Sequence, residues 1–503
     1  MRKSMIVVSV LVVFAMLLSA CAQTAATTAP AATEAAAAAT TAAPAAAATT
    51  AVPAATEVPT ETPLPTFAPA KAGVTVLNVW SFTNEIKTMA VAFEKVHPDV
   101  QVNYTMIPMT NGEYQTKLMA TLGTGNEPDV VALEASFVKS YVESDFLADL
   151  KDLAPDAAAD KTYQEVIDVG TYKGVTKAYS YQSTPGALFY RRSLAKSYFG
   201  TDDPTKIQAL LSDMDKFTAA AKVVHDKSSG KTFMVASSGD FMNLYYANRA
   251  QPWVVANTLT IDPMVEKMVQ TAKTFRDNGF EAQATQWGEG WFAGMNDSLK
   301  DASGTKEQVF CYLLPTWGLP YTLSPNATTA DKSSTTVGDW AMITGPLPYQ
   351  WGGTWMGVMK ATKQQKLAEE FVRFATLDQT NLTNWATGVY TNEYLKAIDP
   401  TVPDSQAQAG GDFVSSQVVV EKITKGFDKS TLSDFLGGEN SYGAFAAAAP
   451  NVSAKLMQGS DDSIQRALND PLNAYLAGTT TEDQMWSAFK DAVRTEYPDL
   501  TVK

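Results

Sequence analysis

Histidine and cysteine, the usual metal ligands and relay residues, are scarce in this 503-residue sequence. There are two histidines and two cysteines. His97 stands directly before Pro98 where an apolar helical stripe ends, and His225 closes another stripe near Lys222 and Asp226. Neither has a partner of the right kind nearby in sequence, which argues against a metal centre or a histidine relay. Gly288-Glu289-Gly290-Trp291-Phe292-Ala293-Gly294 approaches a GxGxxG loop but has one residue too many and lacks the strand–turn–helix setting that such a loop needs. No Walker-type phosphate loop occurs. Carboxylate pairs suited to glycoside hydrolysis would stand roughly 5–9 Å apart through tertiary folding, so spacing along the chain neither supports nor excludes them. Tryptophan is plentiful, ten residues in all.

The cysteines differ by context. Cys311 lies in Val309-Phe310-Cys311-Tyr312-Leu313-Leu314 and reads as a buried small hydrophobe. Cys21 follows Leu17-Leu18-Ser19-Ala20, after a basic start (Arg2, Lys3) and an apolar run from Met5 to Leu18. The run is too short to span a bilayer comfortably, and residues 1–20 read as a secretory signal removed before Cys21. The segment resembles the lipobox of bacterial lipoproteins. That resemblance implies a lipid on the Cys21 thiol and an extracytoplasmic protein anchored to the outer face of the bacterial cell membrane, each buried methylene adding roughly 0.8 kcal/mol. With that cysteine lipidated, Cys311 has no intramolecular partner, so folding must rest on core packing. From Ala22 to about residue 72 the chain is nearly all Ala, Thr and Pro. Such a segment cannot offset the entropy of ordering and reads as a disordered spacer, stiffened by its prolines. With 39 Lys and Arg against 53 Asp and Glu, the net charge of −14 argues against nucleic acid as a partner.

The elements that would position a site begin at residue 73. Residues 74–80 form a β-rich apolar run. Ile86, Met89, Ala90 and Phe93 make one helical stripe, and Val100, Val102, Tyr104 and Met106 alternate with polar residues at strand period. A second helix near 113–122 and a strand at 129–133 complete a strand–helix–strand–helix–strand unit, which predicts a doubly wound α/β sheet. Ligands of such sheets bind beyond the carboxyl ends of the strands, here the loops after Trp80 and Leu133. Further helices are expected near 213–224, 264–278, 363–376 and 482–497, the last opened by the capping pattern Thr481-Glu482-Asp483-Gln484. The length requires two domains or lobes.

Leu77-Asn78-Val79-Trp80-Ser81-Phe82, followed by Phe93-Glu94-Lys95-Val96-His97-Pro98, resembles the opening of extracellular solute-binding protein family 1, the binding proteins of carbohydrate importers driven by ATP-binding cassettes. Gly125 to Val131, Tyr179-Ser180-Tyr181 through Phe189-Tyr190-Arg191-Arg192, Leu314-Pro315-Thr316-Trp317-Gly318, Gly345-Pro346-Leu347-Pro348 with Gly352-Gly353-Thr354-Trp355, and Tyr475 to Thr479 follow the family's segments in order. Arg191 and Thr316 depart from its pattern. The resemblance implies a two-lobed α/β periplasmic-binding-protein fold, type II-like, with hinge strands crossing between the lobes and a ligand cleft between them. Lobe one would combine about 73–180 and 349–380, and lobe two about 185–340 and 385–503. A monomer is implied, with a carbohydrate ligand, permease subunits as partners, no cofactor and no metal.

Sugars present hydroxyls that want paired polar partners and C–H faces that want flat aromatic platforms. On that chemistry and the family's positions, the implied ligand contacts are Trp80, Ser81 and Asn84 after the first strand, and Glu134 and Ser136 after the third. Gln182 and Thr184 would serve at the first crossing, Asp240 after the Ser237-Ser238-Gly239 turn, then Trp317, Trp351, Trp355, Glu439 and Asn440. Trp287 or Trp291 could also line the cleft, whereas Trp253, Trp340, Trp385 and Trp486 read as core or rim. A surface glycan-active enzyme and a binding protein for a non-sugar solute are the alternatives.

Overall fold

The structure, a computed structural model, describes residues 72–398, 400, 412–426 and 431–503. The expected signal, Cys21 and the spacer up to residue 71 lie outside the described residues.

Eight strands frame the two lobes. They are β1 (Thr75–Ser81), β2 (Val100–Met106), β3 (Val130–Glu134), β4 (Ala178–Ser180), β5 (Gly186–Arg191), β6 (Cys311–Pro315), β7 (Trp340–Ile343) and β8 (Thr354–Val358). The first sheet runs in the order β2-β1-β3-β8-β4. β1 is parallel to β2 and β3, with Leu77 opposite Val102 and Val79 opposite Val130. These strands alternate with helix α1 (Asn84–Val96) and helix α2 (Glu113–Thr121). The predicted stripe Ile86, Met89, Ala90 and Phe93 is buried, and α1 stops at His97, whose N–H still reaches Phe93 O, because Pro98 disfavours helical geometry in the residue before it. Helix α3 (Ala135–Glu143) leaves directly from the end of β3. β8 and β4 extend the sheet antiparallel.

The second sheet is β6-β5-β7, antiparallel throughout. One of its faces packs under helices 214–227, 263–277, 461–476 and 482–496. The predicted capping box at Thr481 and Gln484 is present. Cys311 is fully buried, its thiol directed at Met234 O. Two helices of this lobe matter below: α4 (Met242–Ala247) and α5 (Asp461–Leu476).

The chain crosses between the sheets at 181–185 and again at 344–353. A third strand, around Val414, lies against the first crossing through Ser183 N to Phe413 O and Ser415 N to Tyr181 O. One boundary differs from expectation. Residues 385–398, expected in lobe two, stay with the first sheet. Helix 379–386 follows helix 365–377 after a single residue, Asp378, which caps it through Asn381 N. The chain has no length in which to leave. Trp385 then sets its edge against Tyr181, and helix 392–398 packs on α1.

Candidate functional site

A polar cleft beside the second crossing is made of two joined chambers, ≈ 580 Å³ and ≈ 220 Å³, which share Asn243, Tyr246, Trp351, Asp462 and Gln465; the larger is lined by the second lobe and Trp351, and the smaller also reaches the first lobe at Ala135 and Ser136. α4 and α5 form the second-lobe wall, the start of α3 faces them from the first lobe, and residues 350–352 of the second crossing run along the side. α5 contributes because its two faces differ. Ile464, Leu468 and Leu472 enter the core of the second lobe, while Asp462, Gln465, Asn469 and Asn473, at helical spacing, turn to the cleft. Six primary amides line the larger chamber: Asn243, Gln283, Gln286, Gln465, Asn469 and Asn473. An amide both donates and accepts, so this wall suits a neutral ligand bearing many hydroxyls.

An aromatic corner borders the amides. Trp351 lines both chambers. Trp317 meets it edge-on with centroids 5.4 Å apart, and its Nε1 donates to Trp351 O at 2.9 Å. Trp287 lies nearly parallel to Trp317, at 6.2 Å and 14°, and is 47 % exposed. Gly352 makes this corner possible. Its φ is +71°, and a Cβ there would stand 2.7 Å from Trp317 Nε1, so only glycine fits.

The cations around the chambers are already neutralised. Arg249 pairs with Asp461 at 2.7 Å, Arg466 with Asp462 at 3.1 Å, and Arg276 with buried Glu281. Glu134 caps α3 by accepting from Ser136 N at 2.8 Å and Ser136 Oγ at 2.5 Å. Burial raises its carboxyl above the usual range against those bonds, with the Asp462 charge adding to the rise.

The sequence profile of bacterial extracellular solute-binding proteins matches residues 88–410. The chain belongs to the bacterial extracellular solute-binding proteins. No curated protein matches it in sequence. Among solved structures it is similar to an extracellular solute-binding protein of family 1, with TM-score 0.67 and 17% identity over 84% of this chain and 99% of that one. It is also similar to the sugar-binding protein MalE of Xanthomonas citri, with TM-score 0.61 and 14% identity over 84% and 99%. A third is the transporter-associated binding protein of B. animalis subsp. lactis Bl-04 in complex with β-1,6-galactobiose, with TM-score 0.60 and 18% identity over 86% and 100%. At these identities the likeness carries the two-lobed fold.

Within this solute-binding protein the expected contacts separate into three groups. Ser136 and Trp351 line the cleft, Trp317 stands against Trp351, and Glu134 is bonded to Ser136. Gln182 and Thr184 belong to the hinge. Gln182 bridges Asp412 and Thr354 N, and Thr184 Oγ1 ties one crossing to the other through Gly352 O at 2.9 Å. The remaining seven are taken up by structure. Trp80 and Trp355 are each 1 % exposed and pack together in the core of the first lobe, Trp355 donating to Val166 O, which leaves no indole face for a ligand. Ser81 is fully buried in a turn with Thr83. Asn84 is half-buried as the first residue of α1. Asp240 faces inward, boxed with Ser237 and accepting from Trp291 Nε1 at 2.9 Å; burial pushes its carboxyl up to about 7. Its neighbours Ser237 and Ser238 line the larger chamber instead. Glu439 binds Arg192 and Met342 N, and Asn440 caps helix 441–448. Sequence reasoning missed α4 and α5. The only available signal was the polar stripe of α5, which has the same pattern as any solvent-facing helix.

Proposed function

We propose that this solute-binding protein captures a sugar or oligosaccharide between its lobes and presents it to the permease of an ATP-binding cassette importer. The observation that carries the reading is the joining of an amide-lined wall to the Trp287–Trp317–Trp351 corner. Amides pair with ring hydroxyls, and indole faces take up the apolar faces of sugar rings. The chambers are large enough for more than one ring. Closure of the lobes about the crossings would bury the ligand. No step of chemistry is required of the protein, and the similar proteins above that are described as sugar-binding support the reading.

Isothermal titration against maltose, β-1,6-galactobiose and lacto-N-biose, together with a polyamine, tests it. Saturable binding of at least one saccharide is expected. Binding of the polyamine alone would overturn the saccharide reading. The same proposal places the chain on the membrane as a monomer held by lipid on Cys21, with residues 22–72 as a tether that keeps it near its transporter at high effective concentration. Cys21→Ala should release the protein from the membrane fraction. Retention of that variant would remove the anchor from the proposal.

A further inference from the structure

We propose that Tyr246, Arg249, Gln350 and Asp461 read the hydroxyl groups of a neutral sugar unit seated in the smaller chamber, an assignment that rests on the saccharide reading above. All four line that chamber. Each carries one buried polar atom without a hydrogen-bond partner among the described residues: the Tyr246 hydroxyl, Arg249 Nη1, Gln350 Oε1 and Asp461 Oδ1. Buried polar atoms in folded proteins are nearly always paired, so four of them around one chamber point to a ligand that completes them. Of the four residues, only Tyr246 also lines the larger chamber.

The rest of the ion pair is fixed. Arg249 is 7 % exposed and Asp461 6 %. Arg249 Nη2 donates to Asp461 Oδ2 at 2.7 Å, its Nε donates to Tyr246 O at 2.9 Å, and its guanidinium lies 5.1 Å from the ring centroid of Trp253. What remains is a donor group, Nη1, held by the arginine and an acceptor, Oδ1, held by the aspartate. Guanidinium N–H can only donate and a carboxylate oxygen can only accept, so the complementary group must do both. A hydroxyl does. A carboxylate would satisfy Arg249 and face Asp461 as a like charge; an ammonium would satisfy Asp461 and face Arg249. The set therefore selects neutral saccharides over uronates and amino sugars, because a site built to bond a hydroxyl rejects a ligand that leaves its own groups unpaired.

The test is Tyr246→Phe, which removes a hydroxyl that holds nothing in the protein itself. Its melting temperature should stay at the wild-type value. Its Kd for whichever of maltose, β-1,6-galactobiose and lacto-N-biose the wild type binds most tightly should rise about ten-fold or more. Arg249→Lys, which keeps the charge but loses the fork, should weaken the same sugar by a similar factor. Digalacturonate and a glucosamine disaccharide should bind the wild type at least roughly ten-fold more weakly than the neutral sugar. Unchanged affinity in Tyr246→Phe and Arg249→Lys, with the wild type binding the sugar, would overturn this assignment alone. So would tighter binding of either charged disaccharide. A folded wild type that binds no saccharide would overturn the saccharide reading and this assignment with it.

Discussion

Two buried arginines, Arg191 and Arg249, have neighbours of the same kinds and different degrees of completion. Arg191 is 4 % exposed and gives Nε to Asp339 at 2.7 Å, Nη1 to Asp297 at 2.6 Å and Nη2 to the same carboxylate at 3.3 Å. Its guanidinium lies over Trp340. Arg191, with Lys306, holds the Asp297 carboxyl below the usual range in spite of its burial. Arg249 likewise has an aspartate and a tryptophan, yet keeps one nitrogen unpaired, and the Asp461 carboxyl is pushed up to about 6 by burial even with Arg249 beside it. The first network closes on itself and ties the start of helix 192–199 to β7. The second is left open toward the cleft. Completeness of the hydrogen bonding, rather than residue type or depth, separates the structural arginine from the binding one.

The largest effect that would break this contrast is on Arg191. Arg191→Met removes the arginine shared by two partly buried carboxylates and should lower stability by about 3–5 kcal/mol in urea unfolding. A loss of sugar affinity without loss of stability would place Arg191 on the wrong side of the comparison. On the open side, Trp317→Ala should weaken binding of the best saccharide about 10–100-fold while stability falls less than for Arg191→Met, since hot-spot aromatics at binding surfaces carry roughly 2 kcal/mol or more. Calorimetry and a melt on the same sample check this; unchanged affinity would remove the aromatic corner from the site. Gly352→Ala forces a left-handed backbone and a clash with Trp317, with an expected cost of about 1–2 kcal/mol and a matching loss of affinity. The smallest effect concerns the hinge. Asp412 is 1 % exposed, accepts from Gln182 Nε2 and Trp385 Nε1, and keeps Oδ1 without a partner among the described residues. Burial raises its carboxyl from 3.8 to about 6. A raised acid is stabilising below its unfolded pKa, and that contribution is lost as pH rises through the folded value. Asp412→Asn should therefore melt like the wild type near pH 4 and higher than the wild type at pH 8. Equal melts at both pH values would show that this carboxylate titrates normally.

The sequence made much of the first lobe legible, because strand period and helix period place Leu77, Val79 and Phe93 in the core without tertiary information. β8 was reachable only through the family pattern of a return segment. The site was less legible. Trp80 and Trp317 each follow an apolar run, yet one is sealed under the first sheet and the other stands at the cleft. That outcome depends on what packs above them, not on their neighbours in sequence. Asp240 looked available because it follows a turn, but the capping box that makes the turn also draws its side chain inward. The amides of α5 read as a solvated face until the chamber they share with α4 and Trp351 is seen.

The contact between Gly352 and Trp317 has an optical consequence. The glycine belongs to the crossing and the indole to the corner, and the indole N–H is bonded to the carbonyl of Trp351, the residue before that glycine. A change in the angle between the lobes must alter the polarity around this one chromophore. If the lobes close on ligand as proposed, Trp317 would report it, and its emission wavelength should shift as ligand is added, a shift that a Trp317→Phe protein would lack.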